Sequence, residues 1–186
     1  MADFIRPAEP PRATPLAVAR DHRLHPAAPM RRFSLRVREA ALAAAGRAIG
    51  LDLAVPINRA ATAGGRAALR LGPDDWLILT APTDPDIAAP LRTAMEGAAF
   101  SLVDISHRQT GIRLESPNAA AMLNACCPLD LDRAAFPPGM ATRTLFAKAE
   151  IMLWRTGITA FHLEIWRSFT PYVIGLLSEI GREYPE

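Results

Sequence analysis

Leu102-Val103-Asp104-Ile105-Ser106-His107-Arg108 is the stretch from which the fold of this 186-residue chain can be worked out. Its apolar start gives way to polar side chains from Asp104 onward. Directly afterwards, Gly111-Ile112-Arg113-Leu114-Glu115 alternates apolar and polar residues, which is typical of a half-buried strand. We therefore expect polar groups to cluster where one strand ends and the next begins.

A helix is predicted after this strand. Ser116-Pro117-Asn118 combines an N-cap residue with a proline suited to the first helical turn. The helix must end before Pro128, because a proline ring disfavours a helical conformation in the residue before it. The rest of this half contains predicted strands at 142–147, 150–156 and 160–166 and a last helix that begins at Thr170-Pro171.

The first half of the chain repeats this order. Its predicted elements are a strand at 33–37, a helix that ends at Gly50, a short strand at 51–56, a polar loop from Asn58 to Gly65, a hairpin of 67–71 and 76–80, and a helix after Asp84-Pro85. A turn glycine precedes a helix proline by 13 residues in one half (Gly72 and Pro85) and by 14 in the other (Gly157 and Pro171). This similarity predicts an internal duplication. The expected fold class is α+β, with two similar β-α-β-β-β-α units at about 32–97 and 102–184 forming one mixed α+β body.

The N-terminal residues differ from the rest in composition. Residues 1–28 are rich in proline and arginine and show no hydrophobic periodicity. They predict a flexible arm that can become ordered against a partner. The folded domain is expected to cover residues 29–186.

Composition excludes several classes of protein. A hydrophobic content of 50% fits an ordinary globular domain, and a net charge of +2 is too small for a nucleic-acid-binding surface. No apolar run approaches the ~20 residues that span a membrane, and the N-terminus lacks a secretory h-region, so we expect a cytoplasmic protein. Neighbouring Cys126 and Cys127 do not form a metal site by themselves, so no metal is predicted.

Six segments of the chain carry a resemblance to a known family. They are D-I-S-H-R (104–108), S-P-N-A-A-A-M-L (116–123), C-P-L-D-L (127–131), F-P-P-G (136–139), T-R-T-L-F-A-K-A-E-I-M-L-W-R-T (142–156) and E-I-W-R-S-F (164–169). In this order they resemble the gamma subunit of heterotetrameric sarcosine oxidase. The first of them are also similar to the folate-binding domain of the glycine-cleavage aminomethyltransferase.

The resemblance implies an accessory subunit with no catalytic residues of its own. The complex would demethylate sarcosine to glycine, with tetrahydrofolate as one-carbon acceptor and with peroxide formation. It implies alpha, beta and delta subunits as partners, and FAD, FMN, NAD and tetrahydrofolate bound by those subunits. The sequence itself contains no dinucleotide-binding fingerprint.

The alternative is a stand-alone folate-binding or aminomethyltransferase-like protein. By resemblance, the aminomethyltransferase carries its catalytic aspartate in an acidic, glycine-rich loop between two strands of this region. This chain has Lys148-Ala149-Glu150 there, without an aspartate. One-carbon transfer by this chain alone is therefore not favoured.

Asp104, Ser106 and His107 are the residue types of a hydrolytic triad. Neighbours in an extended segment point to opposite faces, so these three alone form a poor triad. Two interpretations remain. In one, Asp104 and Ser106 cap backbone groups and His107 is partly buried; in the other, the three side chains and Arg108 contact a small ligand or another subunit.

Two Trp-Arg pairs lie on strands predicted to be adjacent. Trp154-Arg155 and Trp166-Arg167 consist of the residue types most enriched at interface hot spots. They could equally be core aromatics with flanking surface charges. His162 alternates with Phe161 and Leu163, so we expect it to face solvent or a partner.

Overall fold

The computed structural model describes residues 23–184, which form two five-stranded antiparallel sheets and four helices. The strands are β1 (Leu24–Pro26), β2 (Arg31–Val37), β3 (Arg59–Ala63), β4 (Arg66–Arg70), β5 (Asp75–Thr80), β6 (Phe100–Asp104), β7 (Gln109–Glu115), β8 (Ala141–Phe146), β9 (Ala149–Arg155) and β10 (Ala160–Trp166). The helices are α1 (Glu39–Ile49), α2 (Ala88–Ala94), α3 (Ala119–Asn124) and α4 (Thr170–Gly181).

The order β-α-β-β-β-α occurs twice, as the sequence predicts. One sheet has the strand order β3-β4-β5-β2-β6 and the other β8-β9-β10-β7-β1, so the two units share one topology. Their edge strands are exchanged: β1 leads into β2 but pairs with β7, and β6 leads into β7 but pairs with β2. Each unit therefore completes the sheet of the other, and the two form one body.

Helices cover the outer faces of both sheets. Leu42 and Leu91 pack α1 and α2 on the first sheet, while Met122 and Val173 pack α3 and α4 on the second. The inner faces meet through a smaller apolar cluster, which contains Leu69, Leu77, Leu79, Ile105, Ala141 and Met152. The result is a layered α/β/β/α arrangement with apolar cores on both sides of each sheet.

Regular structure begins earlier than the predicted boundary of the arm. Residues 1–22 of that arm lie outside the described residues. In the remainder, Leu24 pairs with Leu114 of β7 and is buried in the core of the second unit. The partner strand that orders residues 24–26 is nearly ninety residues away in sequence, so local periodicity could not reveal it.

Two local predictions are wrong. The segment 51–56 is a turn instead of a strand: Gly50 adopts a left-handed conformation (φ 68°), and the Asp52 carboxylate accepts a hydrogen bond from the Ala54 N–H at 2.9 Å. The segment from Asn58 to Gly65 is not a loop, because it contains β3, which pairs with the following strand β4. Its small side chains carry no alternation, so only the pairing itself defines the strand.

A buried charged cluster joins the two sheets. The Arg32 guanidinium on β2 donates to both carboxylate oxygens of Glu164 on β10, at 2.6 and 3.1 Å. His162 lies on the same face of β10, with Nε2 2.7 Å from Glu164 Oε1. The expectation that His162 faces solvent or a partner is wrong, because this face of β10 is covered by the first sheet and leaves His162 only 5% exposed.

The two units differ at this cluster. In the first unit Arg32 of β2 pairs with Leu79 of β5. At the equivalent positions of the second unit, Gly111 of β7 pairs with Glu164 of β10. A Cβ atom on Gly111 would lie 3.0 Å from Arg32 Nη2, 3.1 Å from Glu164 Oε1 and 2.8 Å from the Ala27 Cβ. Glycine at this position therefore leaves the space that the ion pair occupies.

The Glu164 carboxylate is ionised in the fold. Burial by itself raises the pKa of Glu164, but the hydrogen bonds and charges of His162 and Arg32 lower it further than burial raises it. The pKa thus lies below its ordinary value of 4.5. Because the carboxylate accepts from both partners, the cluster has no unpaired buried carboxylate.

We predict that Glu164→Gln lowers the free energy of unfolding by about 3–5 kcal/mol at pH 7, since it leaves the Arg32 charge buried without its partner. The lowered pKa makes this stabilisation fully present above pH ~4.5 and lost as the pH falls through the lower folded pKa. Urea denaturation of both proteins should therefore give a constant difference at neutral pH that shrinks below pH ~4.5. Glu115→Gln, in an ion pair whose side chains are 52% and 55% exposed, is the matched control with a change within about 0.5 kcal/mol.

A second prediction concerns Gly111. Gly111→Ala should destabilise the fold by about 1–3 kcal/mol, because the methyl group overpacks the ion pair. Gly175→Ala in α4 meets no atom within 4 Å and should instead stabilise the fold by up to about 1 kcal/mol. Thermal unfolding of the two variants checks the opposite signs; equal shifts would contradict the steric explanation.

Candidate functional site

Asp104 and Ser106 are engaged in a turn after β6. The Asp104 carboxylate accepts hydrogen bonds from the Ser106 N–H at 2.9 Å and from Ser106 Oγ at 2.5 Å. Ser106 Oγ in turn accepts from the Arg32 N–H at 2.9 Å. These are the capping contacts of the structural interpretation. The third residue differs from that interpretation, because His107 is exposed rather than partly buried.

The end of the D-I-S-H-R segment meets the second Trp-Arg pair. The Arg108 guanidinium lies over the Trp166 ring, 4.8 Å from its centroid. Arg167 donates its backbone N–H to the Arg108 carbonyl at 3.1 Å, and its Nη1 lies 3.4 Å from the His107 carbonyl. The antiparallel pairing of β7 with β10 places Gln109 opposite Trp166 and so brings the two motifs together.

Arg155 has a different environment from Arg167. Its side chain is 4% exposed and donates to the carbonyls of Leu131 (3.0 Å), Phe136 (2.8 Å), Gly157 (3.3 Å) and Ile158 (2.6 Å). The guanidinium also lies over the Phe161 ring at 4.9 Å. Burial lowers the pKa of Arg155, and the charge of Arg133 adds to that effect. Arg155 therefore stabilises both the 131–136 loop and the turn after β9 through buried hydrogen bonds to their carbonyls.

Trp154 lies between the sheets, beside His162, with ring centroids 5.9 Å apart. It also lines a shallow open cleft of about 320 Å³ under the β3–β4 turn at Gly64 and Gly65. Arg66 at its edge is already bonded to the Asp84 carboxylate and the Ile49 carbonyl, at 3.0 Å each. The cleft thus offers a ligand mainly apolar surface.

Sequence reasoning missed two exposed aromatic residues beside Trp166. Trp166, Phe169 and Tyr172 are 39%, 42% and 40% exposed. A signal was present, because the buried residues of α4 include Val173 and Leu177, and Tyr172 lies outside that face. This surface therefore joins the exposed His107, Trp166 and Arg167 and the half-buried Arg108 to the aromatic residues that follow β10.

The described residues also bear on metal sites, disulfides and membrane-spanning helices. Between residues 23 and 184, no three His, Cys, Asp or Glu side chains lie close enough together to hold a metal ion. Cys126 and Cys127 are free thiols. No helix within those residues is long and apolar enough to cross a membrane.

We predict that Arg155→Ala lowers the free energy of unfolding by at least about 3 kcal/mol, since it leaves several buried carbonyls without a donor. Arg167→Ala, on an exposed side chain, should change it by about 0.5 kcal/mol or less. Urea denaturation of the isolated variants measures both values. A neutral Arg155→Ala would contradict the assigned structural role.

Comparisons with known proteins agree with the resemblance. The model of the "Sarcosine oxidase, gamma subunit family" matches residues 36–183. The sarcosine oxidase subunit gamma of Corynebacterium sp. (strain U-96) is 34% identical over 145 residues, which are 78% of this chain and 69% of that protein. The subunit gamma of Corynebacterium sp. (strain P-1) is 32% identical over 143 residues, 76% of this chain and 70% of that protein.

Solved structures show the same relationship. A chain of the heterotetrameric sarcosine oxidase from Corynebacterium sp. U-96, in complex with pyrrole 2-carboxylate, superposes with a TM-score of 0.80 at 29% identity, over 87% of this chain and 84% of that chain. The glycine cleavage system aminomethyltransferase T from Bartonella henselae superposes with a TM-score of 0.61 over 83% of this chain and 44% of that chain. At 15% identity, the second likeness shows the α+β fold alone. Because the family model covers most of the sequence and these relatives exceed 30% identity, the chain belongs to the sarcosine oxidase gamma subunit family.

Proposed function

We propose that this chain is an accessory subunit of a heterotetrameric sarcosine oxidase and has no catalytic residue of its own. The observation that carries the proposal is the superposition of 87% of the chain on a chain of such an enzyme. In the proposed complex, alpha, beta and delta subunits are the partners. They bind FAD, FMN, NAD and tetrahydrofolate, and the complex demethylates sarcosine to glycine with formation of peroxide.

The connection between β8 and β9 supports an accessory role. By resemblance, an aminomethyltransferase places its catalytic aspartate in a glycine-rich loop in this region. Here Phe146 pairs directly with Ala149, so only Ala147 and Lys148 connect the strands, with Ala147 at φ 50°. The nearby Glu150 carboxylate is 50% exposed and lies 3.8 Å from the Arg143 guanidinium. A tight turn with a solvated carboxylate lacks the enclosure that tunes a general base.

The buried charges also support this role. A general acid or base must reach the proton that it transfers. Glu164 has no exposed surface, and both of its oxygens are bonded within the chain. Arg155 directs its donors at four backbone carbonyls. These groups stabilise the fold and are not placed to meet a substrate.

We predict that the purified full-length chain is colourless and forms no peroxide with sarcosine and oxygen. Co-expression with the other subunits of the oxidase from its own source should yield a complex that contains flavin, includes this chain and forms peroxide with sarcosine. Absorption spectra and a peroxide assay measure both. Flavin bound to the isolated chain, or failure of the chain to join an otherwise active complex, would overturn the proposal.

Binding of tetrahydrofolate to the isolated chain distinguishes the alternative function, a stand-alone folate-binding protein, from the proposed one. Titration calorimetry should detect no binding of tetrahydrofolate by the chain alone. Saturable binding would favour the stand-alone folate-binding protein over the accessory subunit.

A further inference from the structure

We infer that the chain docks on an acidic, partly apolar face of an oxidase subunit through the surface of Arg108, Trp166, Arg167, Phe169 and Tyr172. We call this the aromatic-arginine surface. The inference rests on the proposed function, because it names the part of the chain through which the proposed assembly forms.

The three aromatic side chains lie close together in sequence, between the end of β10 and the first turn of α4. The Phe169 N–H donates to the Trp166 carbonyl at 2.8 Å, which folds the chain back between β10 and α4. Phe169 and Tyr172 are three residues apart at the start of α4, a spacing that places side chains on the same helix face. With about two-fifths of each residue exposed, this segment presents apolar area that residues 23–184 leave uncovered.

Within residues 23–184, the two arginines lack acidic partners. In this range the half-buried Arg108 side chain makes no hydrogen bond or ion pair. Its Nε is buried without a partner, and its guanidinium lies over the Trp166 ring. Among the described residues, the Arg167 side chain bonds only to the His107 carbonyl, at 3.4 Å. Other arginines in the same range contact an Asp or Glu carboxylate, among them Arg31, Arg32, Arg36, Arg66, Arg113, Arg143 and Arg182. The aromatic-arginine surface is thus left with positive charge that a carboxylate on a partner would complement.

The surface is also held in place before any partner binds. Trp166 ends β10, and Arg108 directly precedes β7, the strand that pairs with β10. The Arg167 N–H to Arg108 carbonyl bond of 3.1 Å ties the two ends together, and the cation-π contact orders the Arg108 side chain. Ordered anchors lose less conformational entropy on binding, and Trp, Tyr and Arg are the residue types that dominate binding energy at interfaces.

The test uses the full-length chain and the oxidase subunits from the same source, purified as a complex without this chain. Two sets of variants are made, Trp166→Ala with Tyr172→Ala, and Arg108→Glu with Arg167→Glu. Each should raise the dissociation constant by about tenfold or more, as loss of interface anchors does. The melting temperature of each isolated variant shows that the fold is retained.

Two changes outside the surface serve as controls. Arg38→Glu reverses an exposed charge at the N-cap of α1, where an acidic residue suits the helix. Ile158→Ala truncates a side chain of a residue that is 60% exposed. Both should leave the dissociation constant unchanged.

The outcomes separate the proposals. If the unaltered chain does not bind the subunits at all, the proposed function fails. If it binds and the surface variants bind equally well while folded, the docking surface is wrong and the proposed function stands. Binding to phosphatidylserine vesicles and self-association of the chain are measured by sedimentation. If the surface variants abolish either of these and leave subunit binding intact, the docking surface is also overturned.

Discussion

The buried ion pair between Arg32 and Glu164 is the constraint on which the packing of the two sheets depends. It joins β2 of one unit to β10 of the other, with two hydrogen bonds of 2.6 and 3.1 Å. A charge in a dry interface is costly unless its partner is correctly placed, so a sliding of one sheet over the other would leave two unpaired buried charges. The pair thus favours a single packing register between the two sheets. His162 donates a hydrogen bond to the Glu164 carboxylate, and Gly111 leaves the space that the pair occupies.

The exchanged edge strands act together with this pair. Because β1 completes the second sheet and β6 the first, neither unit has its full sheet without the other. Equivalent hydrogen bonds, Ala27 N–H to Gly111 carbonyl and Ile105 N–H to Arg32 carbonyl, continue each exchanged segment at 2.9 and 2.8 Å. The D-I-S-H-R segment begins at the end of an exchanged strand. Its Asp104 and Ser106 stabilise that crossing, while Arg108 lies half-buried beside the Trp166 ring.

The two Trp-Arg pairs illustrate how similar sequences acquire different roles. Arg155 is the last residue of β9 and points to the core side of its sheet, where carbonyls of two loops surround it. Arg167 follows the end of β10, so it lies outside the sheet. Trp154 is half-buried against the apolar cluster between the sheets, whereas Trp166 is the last residue of β10 and is 39% exposed, with Arg108 over its ring. Position relative to a strand end decides which pair can meet a partner.

Local signals in the sequence predicted the α+β class, the duplication and the family, but placed one strand of the first unit at 51–56 instead of at β3. Alternation marked β7 and β10, prolines and capping residues marked the helices, and six ordered segments carried the resemblance. Tertiary structure alone decided the exchange of β1 and β6, the existence of β3, and the burial of His162 and Arg155. The exchanged strands depend on pairing partners far away in the sequence, and β3 is defined by its pairing with β4. His162 is buried because the first sheet covers its face, and Arg155 because the carbonyls of two loops surround it. Periodicity within one segment carries no information about such contacts. The sequence therefore identified the residues of the candidate site, but only the tertiary structure showed which of them are structural and which are exposed.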